Sequence, residues 1–371
     1  MLSMDSDHSV MEADTYFNRT RMSVGDVMTA KHRIYLDTKY WIYLRDVERG
    51  NATTERKEIL RMLRKLVDSQ KFICPLSHHN FSELLKQRDP NTRVLMAKIM
   101  DELSQQYCFI SPDQIIGQEI ISFIRNAQAK STGLPSQTSA KYVWTKVPFI
   151  LGELYPKLRN ITEAQEQTIA DQFSDYYSHM SLQSIIENLP GGFPLGCYGD
   201  LTDRLNKGKS ANQSWKSFHE LFMHEIAGIL DALQDEFERV WLYLFEVDRG
   251  TCVSKEVIKR LRCVEMLSNL IFSGFAEDKI RQELPFVYIR AKIHAHVRYD
   301  KRRRYKPNDI DDIGHATWAL PYCKYFLTED GLANIISQQK LDSYYQTTVL
   351  SKETDIIDCL SKLVEEHIDG R

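Results

Sequence analysis

The sequence predicts an α/β fold: a parallel sheet flanked by helices and interrupted by a large all-helical insertion. Three observations predict it. Short apolar runs alternate with amphipathic helical patterns through residues 31–128, as a parallel sheet with crossover helices requires. Strand signals then nearly vanish from 129 to 284. The alternation resumes from 285 to 371. The expected division is therefore a loose N-terminal arm over 1–30, a first α/β part over 31–128, a helical insertion or lobe over 129–284, and a second α/β part over 285–371.

Taken in order, residues 1–29 carry little apolar periodicity. His32 to Leu36 reads as a strand that ends on Asp37, with the first turns of a helix after it. A carboxylate there lies at the carboxyl edge of a sheet, where open α/β sheets bind ligands. A charged amphipathic helix spans about Thr53 to Asp68, and Phe72-Ile73-Cys74 reads as the second strand. Pro75 breaks it, Ser77 or Asn80 caps the next helix, and Glu83 lies on that helix. Another helix runs from about Asn91 to Gln106, and Tyr107 to Ile110 reads as the third strand. Within the insertion, helices are expected over Val143–Leu158, Thr162–Asn188, Trp215–Val247 and Ser254–Phe272, with a polar loop at Asn206–Asn212. A helix after Leu284 leads to the basic run Lys301-Arg302-Arg303-Arg304-Tyr305-Lys306.

Residues 308–330, NDIDDIGHATWALPYCKYFLTED, are the most informative stretch. Asp309, Asp311 and Asp312 open a helical pattern that Pro321 ends, and the strand Tyr325-Phe326-Leu327 runs into Thr328, Glu329 and Asp330. A last strand within Tyr345–Leu350 and a closing helix from Asp355 to His367 complete the chain. Each acid taken alone is equally well explained as a cap, a turn or a surface residue. Taken together, Asp37, Glu83, Asp312 and Asp330 can meet at one sheet edge. Two like charges ~4 Å apart at an effective dielectric of about 20 cost about 4 kcal/mol. A hard cation bound through oxygen, Mg²⁺ or Mn²⁺, relieves that repulsion and supports phosphoryl chemistry, one ion activating water and another stabilising the leaving oxygen.

This arrangement resembles the PIN domain family of metal-dependent nucleases. IYLDT places Asp37 after the first strand, ICPLSHHNFSELL places Glu83 after the second, and DIGHATWALPYCKYFLTED places Asp312, Thr328 and Asp330 in the family's late motif. The resemblance covers roughly 31–128 and 285–350 and leaves the helical block outside it. It implies a PIN-like sheet and a metal-dependent endonuclease, with Asp37, Glu83, Asp312, Asp330 and Thr328 as catalytic candidates. The four acids would bind Mg²⁺ or Mn²⁺, with Asp309 as a further ligand and Thr328 positioning the site or its water. Water attack on the phosphodiester, supported by two ions, is the implied reaction. RNA is the favoured substrate, with single-stranded DNA as the other choice, and a toxin or defence effector is one role such a nuclease fills.

The basic run fits that picture: Lys301, Arg302, Arg303, Arg304 and Lys306 can hold a phosphate backbone, and Tyr299 and Tyr305 can stack on unpaired bases. A solvated charge run is the plain alternative. His315 is expected as a packing residue, with substrate contact the alternative. His219-Glu220 with His224 has i, i+5 spacing and misses the zinc-protease requirement of i, i+4. The net charge of −3 excludes a generally basic nucleic-acid coat. Seven scattered cysteines without a C-x-x-C, and no apolar run of membrane length, predict a cytoplasmic chain with reduced thiols and no membrane partner. The competing reading is a catalytically weak or inactive nucleic-acid-binding or protein-interaction module that acts through the insertion. In either case the insertion is a place for a homodimer contact or a regulator.

Overall fold

The computed structural model describes residues 22–132, 139–152, 162–189, 199–211 and 214–370. It is a mixed α/β structure, mostly helical, with a small parallel sheet flanked by helices. Residues 22–30 form helix α1. Then follow β1 (His32–Leu36), α2 (Thr38–Glu48), α3 (Thr54–Asp68), β2 (Phe72–Ile73), α4 (His78–Lys86), α5 (Pro90–Ser104), β3 (Tyr107–Phe109) and α6 (Pro112–Thr132). The middle of the chain holds β4 (Trp144–Lys146), α7 (Glu163–Ser178), α8 (Leu182–Asn188), α9 (Gly199–Ala211), α10 (Phe218–Ala232), α11 (Gln234–Arg249), α12 (Lys255–Arg260) and α13 (Cys263–Ala276). The last part is α14 (Pro285–Tyr299), α15 (Asp309–Tyr322), β5 (Tyr325–Leu327), α16 (Asp330–Gln338), α17 (Leu341–Tyr345), β6 (Thr348–Leu350) and α18 (Glu353–His367).

Four strands pair in parallel in the order β2-β1-β5-β6. A parallel bridge between Leu76 and Cys108 sets β3 beside the continuation of β2, and β4 pairs antiparallel with β3. The chain leaves β1 toward β2 and later returns to β5 on the other side. The carboxyl ends of β1 and β5 therefore form a topological switch point, the usual crevice for ligands in such sheets.

Strand alternation sends side chains into two cores. Ile34, Leu36 and Phe72 enter the core built with α2, α3, α5 and α18, whereas Tyr35, Ile73 and Phe326 enter the core built with α6, α14 and α15. Leu221, Phe222, Ile226 and Phe237 of the middle segment share this second core. Leu182 and Ile186 of α8 join the first. Among the described residues, the helices of the block pack against α5, α6 and α14, the helices that flank the sheet.

Several local expectations change. Residues 22–30, expected as part of a loose arm, are helical, with Val24 and Met28 buried; residues 1–21 lie outside the described residues. A Cβ on Gly25 of this helix would stand 2.0 Å from the Lys141 carbonyl oxygen, so α1 packs closely there only because the residue is glycine. Residues 144–146, expected as helix, are a strand, because Trp144 stacks on Phe109 with ring centroids 4.2 Å apart. Val147–Phe149 is a short 3-10 helix, and residues 153–158 of that expected helix lie outside the described residues. Asn206–Ala211, expected as loop, is the end of α9, while Asn212 lies outside the described residues. Propensity does not make this helix, since Gly208 weakens it; tertiary bonds from Asn206 and Lys209 hold it. Pro321 does not stop α15 but sits in its last turn.

Candidate active site

Asp37 immediately follows β1 and caps α2, its Oδ1 accepting the Lys39 backbone N–H at 2.8 Å. Its Oδ2 accepts the Thr328 hydroxyl at 2.7 Å and the Glu329 backbone N–H at 3.1 Å. The ends of β1 and β5 are thereby tied through one carboxylate. Burial pushes the Asp37 carboxyl up, while His315 and the Thr328 hydroxyl oppose that shift.

Asp312 lies in the first turn of α15, half-buried, and its side chain makes no hydrogen bond with a described residue. Its carboxyl is pushed up to about 8. Burial is the main cause; His315 works against it, and the charges of Asp37, Glu329 and Asp309 add to it. This is the least compensated acid among the candidates.

Glu83 projects from α4, whose N-terminus is fixed by a capping box between Ser77 and Asn80. Its Oε2 accepts the Thr38 hydroxyl and lies 2.9 Å from His315 Nε2. Burial pushes this carboxyl up, but the His315 contact and the Thr38 hydroxyl outweigh it and hold the group below its ordinary value. His315, expected to be mere packing, is buried with both ring nitrogens engaged: Nδ1 lies 2.6 Å from Tyr35 Oη, and that hydroxyl lies 2.6 Å from Ser77 Oγ. Burial alone would lower the imidazole; Glu83, Asp37 and Asp312 raise it.

The remaining acids divide. Glu329, not Asp330, is the acid whose charge acts on both Asp37 and Asp312. Asp330 is the exposed first residue of α16, and its charge acts on Tyr40. Asp309, a candidate further ligand, is buried and engaged by Arg303 at 3.0 Å and the Lys306 backbone N–H at 3.0 Å. Asp311, expected to be a cap or solvated, is buried and ion-paired with Lys86 at 2.8 Å, with His79 Nδ1 3.4 Å away. Gly314 makes room for that arrangement, since a Cβ there would meet His79 Nε2 at 2.0 Å.

The basic loop is built from the insertion. Lys209 of α9 donates to the carbonyls of Val297 at 2.7 Å, Asp300 at 2.5 Å and Arg303. Asn206 brackets the Tyr305 backbone with bonds of 3.0 and 2.9 Å. Lys301, Arg302, Arg304 and Lys306 are left exposed. Tyr305 is not available for base stacking: its ring is buried and its hydroxyl lies 2.9 Å from His294 Nδ1. Tyr299 is exposed, with Phe218 packed edge-on against it.

Among the described residues, no three His, Cys, Asp or Glu side chains are gathered to hold a metal ion. Mg²⁺ is commonly held by one or two carboxylates together with waters and substrate phosphates; the two carboxylates coupled here are Asp312 and Asp37, whose charge acts on Asp312. Among the described residues no helix is long and apolar enough to cross a membrane. Comparison of the chain with family models, with curated proteins and with solved structures finds no match.

The spacing from Asp312 to His315 was the available signal for the missed histidine, because i and i+3 share a helix face. Tyr35 was foreshadowed by alternation in β1, which points it away from Ile34 and Leu36.

Proposed function

We propose that the chain is a divalent-metal-dependent nuclease built on an interrupted PIN-like α/β domain, with RNA the favoured substrate. The observation that carries this reading is Asp312: a half-buried carboxyl with no hydrogen bond among the described residues, coupled to the Asp37 charge at the sheet's switch point and raised to about 8 by burial and its acidic neighbours. Asp37 and Asp312 would hold Mg²⁺ or Mn²⁺, with Glu83 and Glu329 as nearby oxygen donors. When bound, such an ion lowers the pKa of water and stabilises charge developing on phosphate oxygens.

The chain's own residues supply position and charge. Thr328 and the backbone N–H groups of Lys39 and Glu329 aim Asp37. Arg303 ties the basic loop to Asp309, one turn before Asp312. Lys301, Arg302, Arg304 and Lys306 would meet phosphates, giving affinity without reading sequence.

The second reading, a nucleic-acid-binding or interaction module with little catalysis, draws on the absence of three gathered ligands among the described residues. Ion binding separates the two. Mn²⁺ raises the melting temperature of the wild type in the nuclease reading and leaves that of Asp312→Asn nearly unmoved. Equal melting curves with and without Mn²⁺ in the wild type favour the module.

A further inference from the structure

Among the described residues, Glu83 is bonded through one oxygen only. The Thr38 hydroxyl and His315 Nε2 both converge on Oε2, and among the described residues no hydrogen bond reaches Oε1. His315 is itself held from behind. Tyr35 Oη lies 2.6 Å from Nδ1 and 2.6 Å from Ser77 Oγ, so the chain Ser77-Tyr35-His315-Glu83 runs from the cap of α4 to the acid on the same helix. An ionised carboxylate only accepts hydrogen bonds, so Nε2 carries the hydrogen that faces Glu83 whichever way the Tyr35–Nδ1 proton lies. Ser77, Tyr35 and His315 are all buried, which leaves the ring one orientation.

We propose that His315 is a positioning residue, which locks Glu83 by its inner oxygen so that the other oxygen alone is offered to the site. The inference rests on the nuclease reading above. It adds a division of labour: among the described residues nothing bonds either oxygen of Asp312, Asp37 has both engaged, and Glu83 has one left over. Groups that orient metal-site carboxylates from behind typically change affinity or activity about 10- to 100-fold when removed.

The test uses the full chain and two readouts: Mn²⁺ affinity by electron paramagnetic resonance without nucleic acid, and steady-state cleavage of end-labelled single-stranded RNA. His315→Ala is expected to weaken Mn²⁺ binding and lower kcat about 10- to 100-fold, with KM for RNA within about twofold. His315→Gln places an amide N–H near the Nε2 position and is expected to recover most of both. In a Glu83→Gln background, His315→Ala is expected to cost almost nothing more. Equal costs of His315→Ala with and without Glu83, or no recovery by His315→Gln, overturn the proposal. Tyr35→Phe keeps the ring and removes the contact to Nδ1. It is expected to give a smaller loss in the same two quantities, and wild-type values from it overturn the proposal even where His315→Ala does not fold. A wild type that neither binds Mn²⁺ nor cuts overturns the nuclease reading itself, and this inference with it.

Discussion

The Thr328 hydroxyl donates a 2.7 Å hydrogen bond to Asp37 Oδ2, joining the residue after β5 to the residue after β1 across 291 positions of sequence. Both groups are buried, so the bond is shielded from water. Thr328→Val keeps the shape and removes the donor, leaving Oδ2 with the Glu329 N–H alone. We expect a loss of about 1–3 kcal/mol of folding stability, measured by urea unfolding, together with reduced cleavage. Unchanged stability and activity would show that the bond does not aim Asp37.

Gly314→Ala puts a methyl group where the His79 ring lies, 2.0 Å from its Nε2. His79 is hemmed in by Asp311 and by the His315 ring, whose centroid is 5.5 Å away, so it cannot simply swing aside. The expected cost is about 1–3 kcal/mol. Shortening the neighbour should relieve it, so His79→Ala with Gly314→Ala should cost less than the sum of the two. Additive losses would mean the strain lies elsewhere.

Glu119 of α6 is buried, accepts the Tyr322 hydroxyl at 2.6 Å and the Phe286 N–H at 3.1 Å, and is pushed up to about 8, chiefly by burial. Its ordinary value is 4.5, so between 4.5 and about 8 the folded state holds a proton that the unfolded state has released. Stability is then fully present below the ordinary value and is lost as pH rises through about 8. At about 1.4 kcal/mol per pH unit the loss is on the order of a few kcal/mol. Asp312 titrates in the same window with the same sign. Glu119→Gln should therefore flatten about half of the decline between pH 5.5 and pH 8.5, and saturating Mn²⁺ should remove much of the remainder. An undiminished decline in Glu119→Gln would assign the loss to other groups.

How much of this was legible in the sequence follows from which features are local. Asp37, Asp312 and Thr328 sit where a strand end or a helix start fixes them, so short patterns located them. Glu329 and Asp330 are adjacent acids, both exposed, and only the start of α16 separates them: Asp330 begins the helix, while Glu329 is its cap residue and turns its backbone N–H to Asp37. The strand β4 and helix α9 depend on partners far along the chain, Phe109 for one and the 297–305 segment for the other. No local periodicity announces either. Tyr305 looked like a stacking residue because its neighbours are charged, yet its ring turns inward to His294.

The basic loop gives a prediction of its own. Lys209→Met removes the donor from three carbonyls, and the loop should loosen at a cost of about 2–3 kcal/mol. Arg302→Ser with Arg304→Ser leaves the loop's anchors intact and removes two exposed cations. For single-stranded RNA the slope of log affinity against log salt should fall by about 1.4, roughly 0.7 per phosphate contact. Fluorescence anisotropy across a salt series measures it, and an unchanged slope would place the phosphates on another surface.

If Asp37 and Asp312 serve a metal-dependent nuclease, the chain cuts nucleic acid only with a divalent ion present. Purified wild type and Asp312→Asn would be incubated with end-labelled single-stranded RNA and single-stranded DNA, with Mn²⁺ or with chelator. The wild type should cut RNA with Mn²⁺ and not with chelator, and Asp312→Asn in its folded form should not cut. Cutting by Asp312→Asn at the wild-type rate, or cutting by the wild type that chelator leaves unchanged, would rule out that role for the two acids.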